Sequence, residues 1–158
     1  MKNTNQLIEL LADNGLEFVI VGGFAGVLHG SSLVTHDLDL CILFKKETVE
    51  LLKKILKPFH PVHRMTPERL SFLEIPLDYE RLNNLYLDTD LGQLDLLSEI
   101  KGVGTFEKIY KQAETVVLFG RECKVMSIDM LIQSKMEMAR DKDTAMVKEL
   151  RVIREKRG

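Results

Sequence analysis

The sequence predicts an α+β (mixed α/β) domain, a mixed central sheet flanked by helices. Three observations carry that expectation. Short β-branched or alternating runs, at Phe18 to Val21 and Asp37 to Phe44, are separated by stretches of helical periodicity. Two further pairs of strand-like runs are joined by turn-forming residues, the mark of hairpins. The chain has 158 residues, which suits one domain spanning 1–158, with a helical segment from about residue 127 onward.

In chain order, Leu7, Ile8, Leu10 and Leu11 form a helical stripe that stops at Asn14-Gly15, a frequent C-terminal pair. Phe18 to Val21 reads as a buried strand, ended by Gly22-Gly23. Phe24 to Leu28 reads as a short helix closing at Gly30, where His29 fits a cation at a helix C-terminus. From Asp37 to Phe44 the residues alternate. Asp37, Asp39, Cys41 and Leu43 face one way, while Leu38, Leu40, Ile42 and Phe44 face the other. Glu47 to Leu56 has helical periodicity and is stopped by Pro58. The stretch from Phe59 to Pro76 mixes strand-like pieces with loop, and it holds Pro61, Pro67 and Pro76. Leu85 to Leu87 and Leu94 to Leu97 flank Thr89 to Gly92, the first hairpin. Phe106 to Ala113 has helical character. Thr115 to Phe119 and Glu122 to Val125, joined through Gly120-Arg121, form the second hairpin. Ser127 is placed as an N-cap with Asp129 in the first turn of a helix reaching about Arg140, and a last helix runs from about Lys142 to Glu155.

Composition excludes several classes. The chain is 45% hydrophobic and 29% charged, close to soluble averages, so disorder and fibrous structure are poor readings. A formal net charge of −2 disfavours bulk coating of nucleic acid. The longest uncharged apolar stretch, Phe18 to Ser32, holds four glycines and falls short of the roughly 20 apolar residues a membrane span needs. The polar start, Met1 to Gln6, shows no signal-peptide pattern. Cys41 and Cys123 are far apart, without metal-ligand spacing, and read as small buried residues of a reducing compartment. The expected location is the cytoplasm, without membrane association.

Chemistry concentrates around Val19-Ile20-Val21-Gly22-Gly23, followed after thirteen residues by Asp37-Leu38-Asp39-Leu40. A strand running into two glycines lets backbone amides approach an anion closely, and a helix start just after them turns free N–H groups toward it. Aspartates at i and i+2 on a strand project from one face, about 6–7 Å apart. Two hard carboxylates on one rigid face suit Mg²⁺ better than zinc. Taken alone, such a pair also fits a solvated strand face, and two glycines also fit a tight turn. Asp95, set between Leu94 and Leu96, adds weight, because a carboxylate in a strand-like apolar run is costly without a partner or a cation. If its strand lies beside the Asp37 and Asp39 strand, the three carboxylates converge. Neither G-x-x-x-x-G-K-[ST] nor G-x-G-x-x-G occurs at the glycine-rich positions, so a P-loop ATPase or a Rossmann enzyme is excluded.

Gly22-Gly23, Thr35-His36-Asp37-Leu38-Asp39-Leu40 and the isolated Asp95 together resemble the nucleotidyltransferase superfamily, which has the DNA polymerase beta-like fold. The closest likeness is to the small bacterial branch of AbiEii toxin-like, minimal (MNT-like) and antibiotic-modifying nucleotidyltransferases. Lys135-Met136-Glu137-Met138-Ala139-Arg140-Asp141-Lys142-Asp143 resembles the Lys-x-x-x-Ala-x-x-x-Lys-Asp helix common in that branch. The chain departs from the branch pattern at Leu33, His36 and Phe24.

The resemblance implies transfer of NMP from an NTP, with ATP the expected donor, to a hydroxyl on RNA, protein or a small molecule. It implies Asp37, Asp39 and Asp95 as catalytic residues and metal ligands. Two Mg²⁺ per site are expected, with Mn²⁺ as a substitute. Gly22, Gly23, Thr35 and Lys135 are the expected nucleotide-binding residues, although a lysine on an amphipathic helix is more often simply solvated and Thr35 also fits an ordinary strand opener. Asp143 is read as a first-turn acid or a salt-bridge partner. Expected partners are the NTP, an acceptor such as tRNA, and a cognate protein or a second copy, as in a toxin-antitoxin pair. The alternative is a catalytically weakened binding or regulatory protein on the same fold, favoured by the changes at Leu33, His36 and Phe24.

Overall fold

The computed structural model describes residues 3–74 and 81–157. Pro76 and the first two residues lie outside that set.

A seven-stranded mixed sheet forms the centre, in the order β3-β4-β5-β2-β1-β9-β8. Its strands are β1 (Val19–Val21), β2 (Asp37–Cys41), β3 (Val62–His63), β4 (Asn84–Thr89), β5 (Gly92–Leu97), β8 (Glu114–Leu118) and β9 (Arg121–Val125). Two short strands, β6 (Glu99–Ile100) and β7 (Gly104–Thr105), pair separately. The helices are α1 (Thr4–Asp13), α2 (Gly22–Leu28), α3 (Lys46–Leu56), α4 (Phe106–Gln112), α5 (Ile128–Met138) and α6 (Asp141–Arg157).

β1 is apolar at every position because it lies inside the sheet, antiparallel to β2 and parallel to β9, with all three residues buried. β2 shows the alternation of a strand with one wet face. Leu38 and Leu40 are buried while Asp37 and Asp39 are half-buried. β4 and β5 are the first expected hairpin, closing at Thr89 opposite Gly92. β8 and β9 are the second, with its turn one residue earlier than expected. Phe119 and Gly120 occupy the centre at φ 52° and 80°, the two positive values that a two-residue turn of right-twisted strands requires.

The glycine pair ends β1 as expected, but it also forms the first residues of α2, which therefore starts two residues before Phe24. His29 caps the C-terminus of α2, as its place before Gly30 suggests. Its Nε2–H donates to the Met126 carbonyl at 2.7 Å, while Nδ1 accepts from Arg157 at 3.1 Å.

One apolar cluster runs through the sheet and its helices, with Leu7, Ile8 and Leu11 of α1 and Val49, Leu52 and Leu56 of α3 fully inside. Cys41 and Cys123 belong to it as free, buried thiols, and burial pushes the Cys41 thiol up to about 12. Among the described residues no helix is long and apolar enough to cross a membrane.

Candidate active site

β1 delivers the chain to Gly22 in the middle of the sheet, and the backbone there takes φ +67°, a left-handed conformation. A Cβ on Gly22 would sit 2.2 Å from Oδ2 of Asp39, so glycine is required for space as well as for conformation. A Cβ on Gly23 would press on Thr35, 3.1 Å from its hydroxyl oxygen. Thr35 in turn donates its hydroxyl to the Asp37 carbonyl at 3.3 Å, closing the approach to β2. The two glycines thus bring the start of α2 against the wet face of β2.

β5 lies parallel to β2 with Asp95 level with Asp39. This pairing spans over fifty residues of sequence and brings Asp37, Asp39 and Asp95 to one face. The Asp39 carboxyl is pushed up from 3.8 to about 6. Burial contributes most, followed by the charges of Asp95 and Asp37, with Lys135 acting in the opposite direction. Asp95 has a partner that nothing in the sequence announces. Arg64, just after β3, grips it with Nη1 on Oδ1 at 2.6 Å and Nη2 on Oδ2 at 3.2 Å.

Across the cleft, Lys135 on α5 is 11% exposed and 3.6 Å from Asp143. Asp143, at the start of α6 and 1% exposed, also takes the Arg140 guanidinium at 2.6 Å. The Arg140 hydrogen bond outweighs burial and holds the Asp143 carboxyl below its usual range. Burial lowers the Lys135 ammonium more than Asp143 and Asp39 raise it. Asp143 is therefore the salt-bridge partner that the sequence suggested.

These groups enclose a cleft of about 610 Å³. Gly22, Gly23, Thr35, Asp37, Asp39, Asp95 and Lys135 all line it, so every residue picked from the sequence stands on one surface. Leu33, one of the three departures, is also on the wall. Phe24 packs on the core and His36 is exposed elsewhere. Arg140, Lys142, Tyr86 and Glu99 line the cleft without having been singled out. Arg140 and Lys142 lie inside the quoted Lys135 to Asp143 run, which is the signal that could have found them.

The donor set was tested against a divalent cation. Asp37 and Asp39 fit one, since they are hard, rigidly held oxygens on one strand, and the raised proton affinity of Asp39 marks negative charge lacking a counter-ion. Asp95 is less available, being engaged at both oxygens by Arg64. Among the described residues, no three His, Cys, Asp or Glu side chains are grouped closely enough to hold one ion.

No family model and no curated protein matches the sequence. Solved structures do match over nearly the whole chain. A lincosamide antibiotic adenylyltransferase, LnuA, determined with lincomycin bound, is similar at 13% identity with a TM-score of 0.61, covering 96% of each chain. A nucleotidyltransferase-like antigen from Paracoccidioides brasiliensis is similar at 18% identity and a TM-score of 0.61, covering 94% of this chain and 72% of the other. The antibiotic-resistance factor ANT(2'')-Ia is similar at 17% identity and a TM-score of 0.57, covering 99% of this chain and 86% of the other. The chain has the nucleotidyltransferase fold.

Proposed function

We propose that the protein is a nucleotidyltransferase that moves a nucleoside monophosphate from an NTP to a hydroxyl group. The observation that carries this reading is the meeting of Asp37 and Asp39 with Gly22, Gly23 and Lys135 around one cleft. An acidic strand face beside a glycine-opened backbone and a buried lysine suits a triphosphate whose charge must be neutralised from several sides. The adenylyltransferase neighbour supports ATP as donor and a small molecule as acceptor.

In this reading Gly22 and Gly23 leave room for the polyphosphate at the start of α2. Lys135 and Arg140 supply positive charge, and Asp143 fixes where both stand. Asp37 and Asp39 would hold a divalent cation, Mg²⁺ or Mn²⁺, which would neutralise phosphate charge and make the α-phosphorus more electrophilic. The acceptor oxygen attacks the α-phosphorus as the bond to the β-phosphate oxygen breaks. Pyrophosphate departs with that electron pair, and the acceptor proton passes to the Asp95 carboxylate. Much of the rate comes from holding acceptor and phosphate together.

The test is label transfer from each of four α-phosphate-labelled NTPs with Mg²⁺. The acceptors offered are lincosamides, aminoglycosides, total tRNA and a bacterial extract. Wild type runs beside Asp37→Asn and Asp39→Asn. Label on a small molecule that requires both aspartates is the expected result. Label on RNA or protein would instead support the toxin-like AbiEii branch, which rests on sequence motifs alone. No transfer by folded wild type from any NTP would overturn the transferase reading.

A further inference from the structure

We infer that Arg64 takes the place of a second cation, so that the cleft holds one divalent ion, on Asp37 and Asp39, and not two. The inference rests on the transferase reading and deepens it. A second ion would need oxygens of Asp95, and both are occupied. The Arg64 fork meets Oδ1 at 2.6 Å and Oδ2 at 3.2 Å, the bidentate geometry in which guanidinium and carboxylate match best.

Arg64 is also seated, not swinging. Its backbone N–H donates to the Tyr86 carbonyl at 2.9 Å, and Nη1 lies 3.4 Å from the Leu87 carbonyl. The guanidinium carbon stands 5.7 Å from the centre of the Tyr86 ring, within range of a cation–π contact. Tyr86 is itself paired with Asp95 across β4 and β5, so ring, arginine and carboxylate are fixed by the same strands. The side chains of Arg64 and Asp95 are only 20% and 14% exposed, which limits screening by water. Asp95 then acts from a position Arg64 sets, as an oriented carboxylate and not as a metal ligand.

The test counts Mn²⁺ on the full chain by electron paramagnetic resonance, with saturating α,β-methylene ATP. Wild type is expected to hold one Mn²⁺ per chain, without spin coupling to a neighbour. Asp95→Asn should leave that count at one. Arg64→Met should raise it to two, with coupling between the ions. Arg64→Gln removes both charge and fork while keeping a polar side chain, and covers the case in which Arg64→Met does not fold. It too is expected to hold two ions, and a single ion in folded Arg64→Gln would overturn the inference. Two coupled ions in wild type, loss of the ion in Asp95→Asn, or a single ion in folded Arg64→Met would each overturn the inference while leaving the transferase reading intact. Absence of both Mn²⁺ and nucleotide binding in wild type would overturn the transferase reading, and this inference with it.

Discussion

Asp39 is the residue in which fold and chemistry conflict most openly. Its carboxyl keeps a proton to about pH 6 in the folded chain because burial and the neighbouring Asp95 and Asp37 penalise the anion, against 3.8 without those surroundings. The folded state therefore binds this proton more tightly than the unfolded state does. Its contribution to stability is fully present below about pH 4 and is lost as the pH rises through about 6. The difference is on the order of 3 kcal/mol when Asp39 is fully ionised. Asp39→Asn removes the penalty. In EDTA at pH 7.5 the variant is expected to unfold at a higher temperature than wild type, with the gain vanishing toward pH 4. Equal melting temperatures at both pH values would show that Asp39 carries no such strain. Stability set aside for a charged site is the usual sign that a ligand completes it.

At the scale of elements, the turn of chain from β1 into α2 is set by Gly22. Gly22→Ala would meet two obstacles, a left-handed backbone and the Asp39 carboxylate at 2.2 Å from the new methyl carbon. Gly15 is the natural control, with φ +81° and open space around it. Gly15→Ala is expected to cost about 1–2 kcal/mol of backbone strain. Gly22→Ala should cost clearly more in urea denaturation and should also displace Asp39, abolishing nucleotide binding. Equal costs at the two positions would mean that the β2 strand yields easily, and the rigid-floor argument would fall. Local rules made these elements readable. The alternation of Asp37 to Cys41, the Asn14-Gly15 stop and the Ser127 cap, whose hydroxyl accepts from the Met130 amide, are decided within a few residues. The identity of the site residues was legible for the same reason. What local rules do not contain is pairing across the sheet. The alignment of Asp39 with Asp95 is set by parallel strands over fifty residues apart. The grip of Arg64 on Asp95 depends on β3 and β4 lying beyond them. Proline-rich sequence around Arg64 gives no periodicity from which to place it. The Gly22-Gly23 pair shows a different limit, since a turn and a helix start ask for the same residues.

At the scale of the whole molecule, α6 is the brace of the cleft, although its sequence reads as a solvated basic face. Its buried residues are Asp143, Met146, Val147 and Leu150, a narrow stripe spaced three, four and seven residues apart among many charges. That stripe is too thin to stand out, yet α6 reaches α5, α2 and the chain ahead of β2. Asp143 holds Lys135, and Met146 fills the space that Gly26 leaves open on α2. Glu149 takes the backbone N–H of Ser32 at 2.5 Å and the Ser32 hydroxyl at 2.7 Å. These bonds hold the carboxyl of Glu149 below its ordinary 4.5, so the tether is present above that value and is lost as the pH falls through the lowered one. The tether fixes residues 31–35, which run on to Thr35 and place Leu33 and Val34 on the cleft wall. Val34 is 82% exposed there. Glu149→Ala should therefore loosen the wall without touching Asp37 or Asp39. A several-fold rise in the KM for NTP is expected, on the order of five, with kcat within about twofold of wild type. Hydrogen exchange of the Ser32 to Val34 amides should quicken in the same variant. A fall in kcat with unchanged KM and unchanged exchange would assign Glu149 to the chemistry and refute the brace. The split between the two constants matters because α6 meets the cleft through Asp143, which holds Lys135, and Glu149, which holds Ser32, while Asp95 lies on β5 and Arg64 follows β3. A brace on one wall should alter how tightly the donor is held and leave the transfer step to the other.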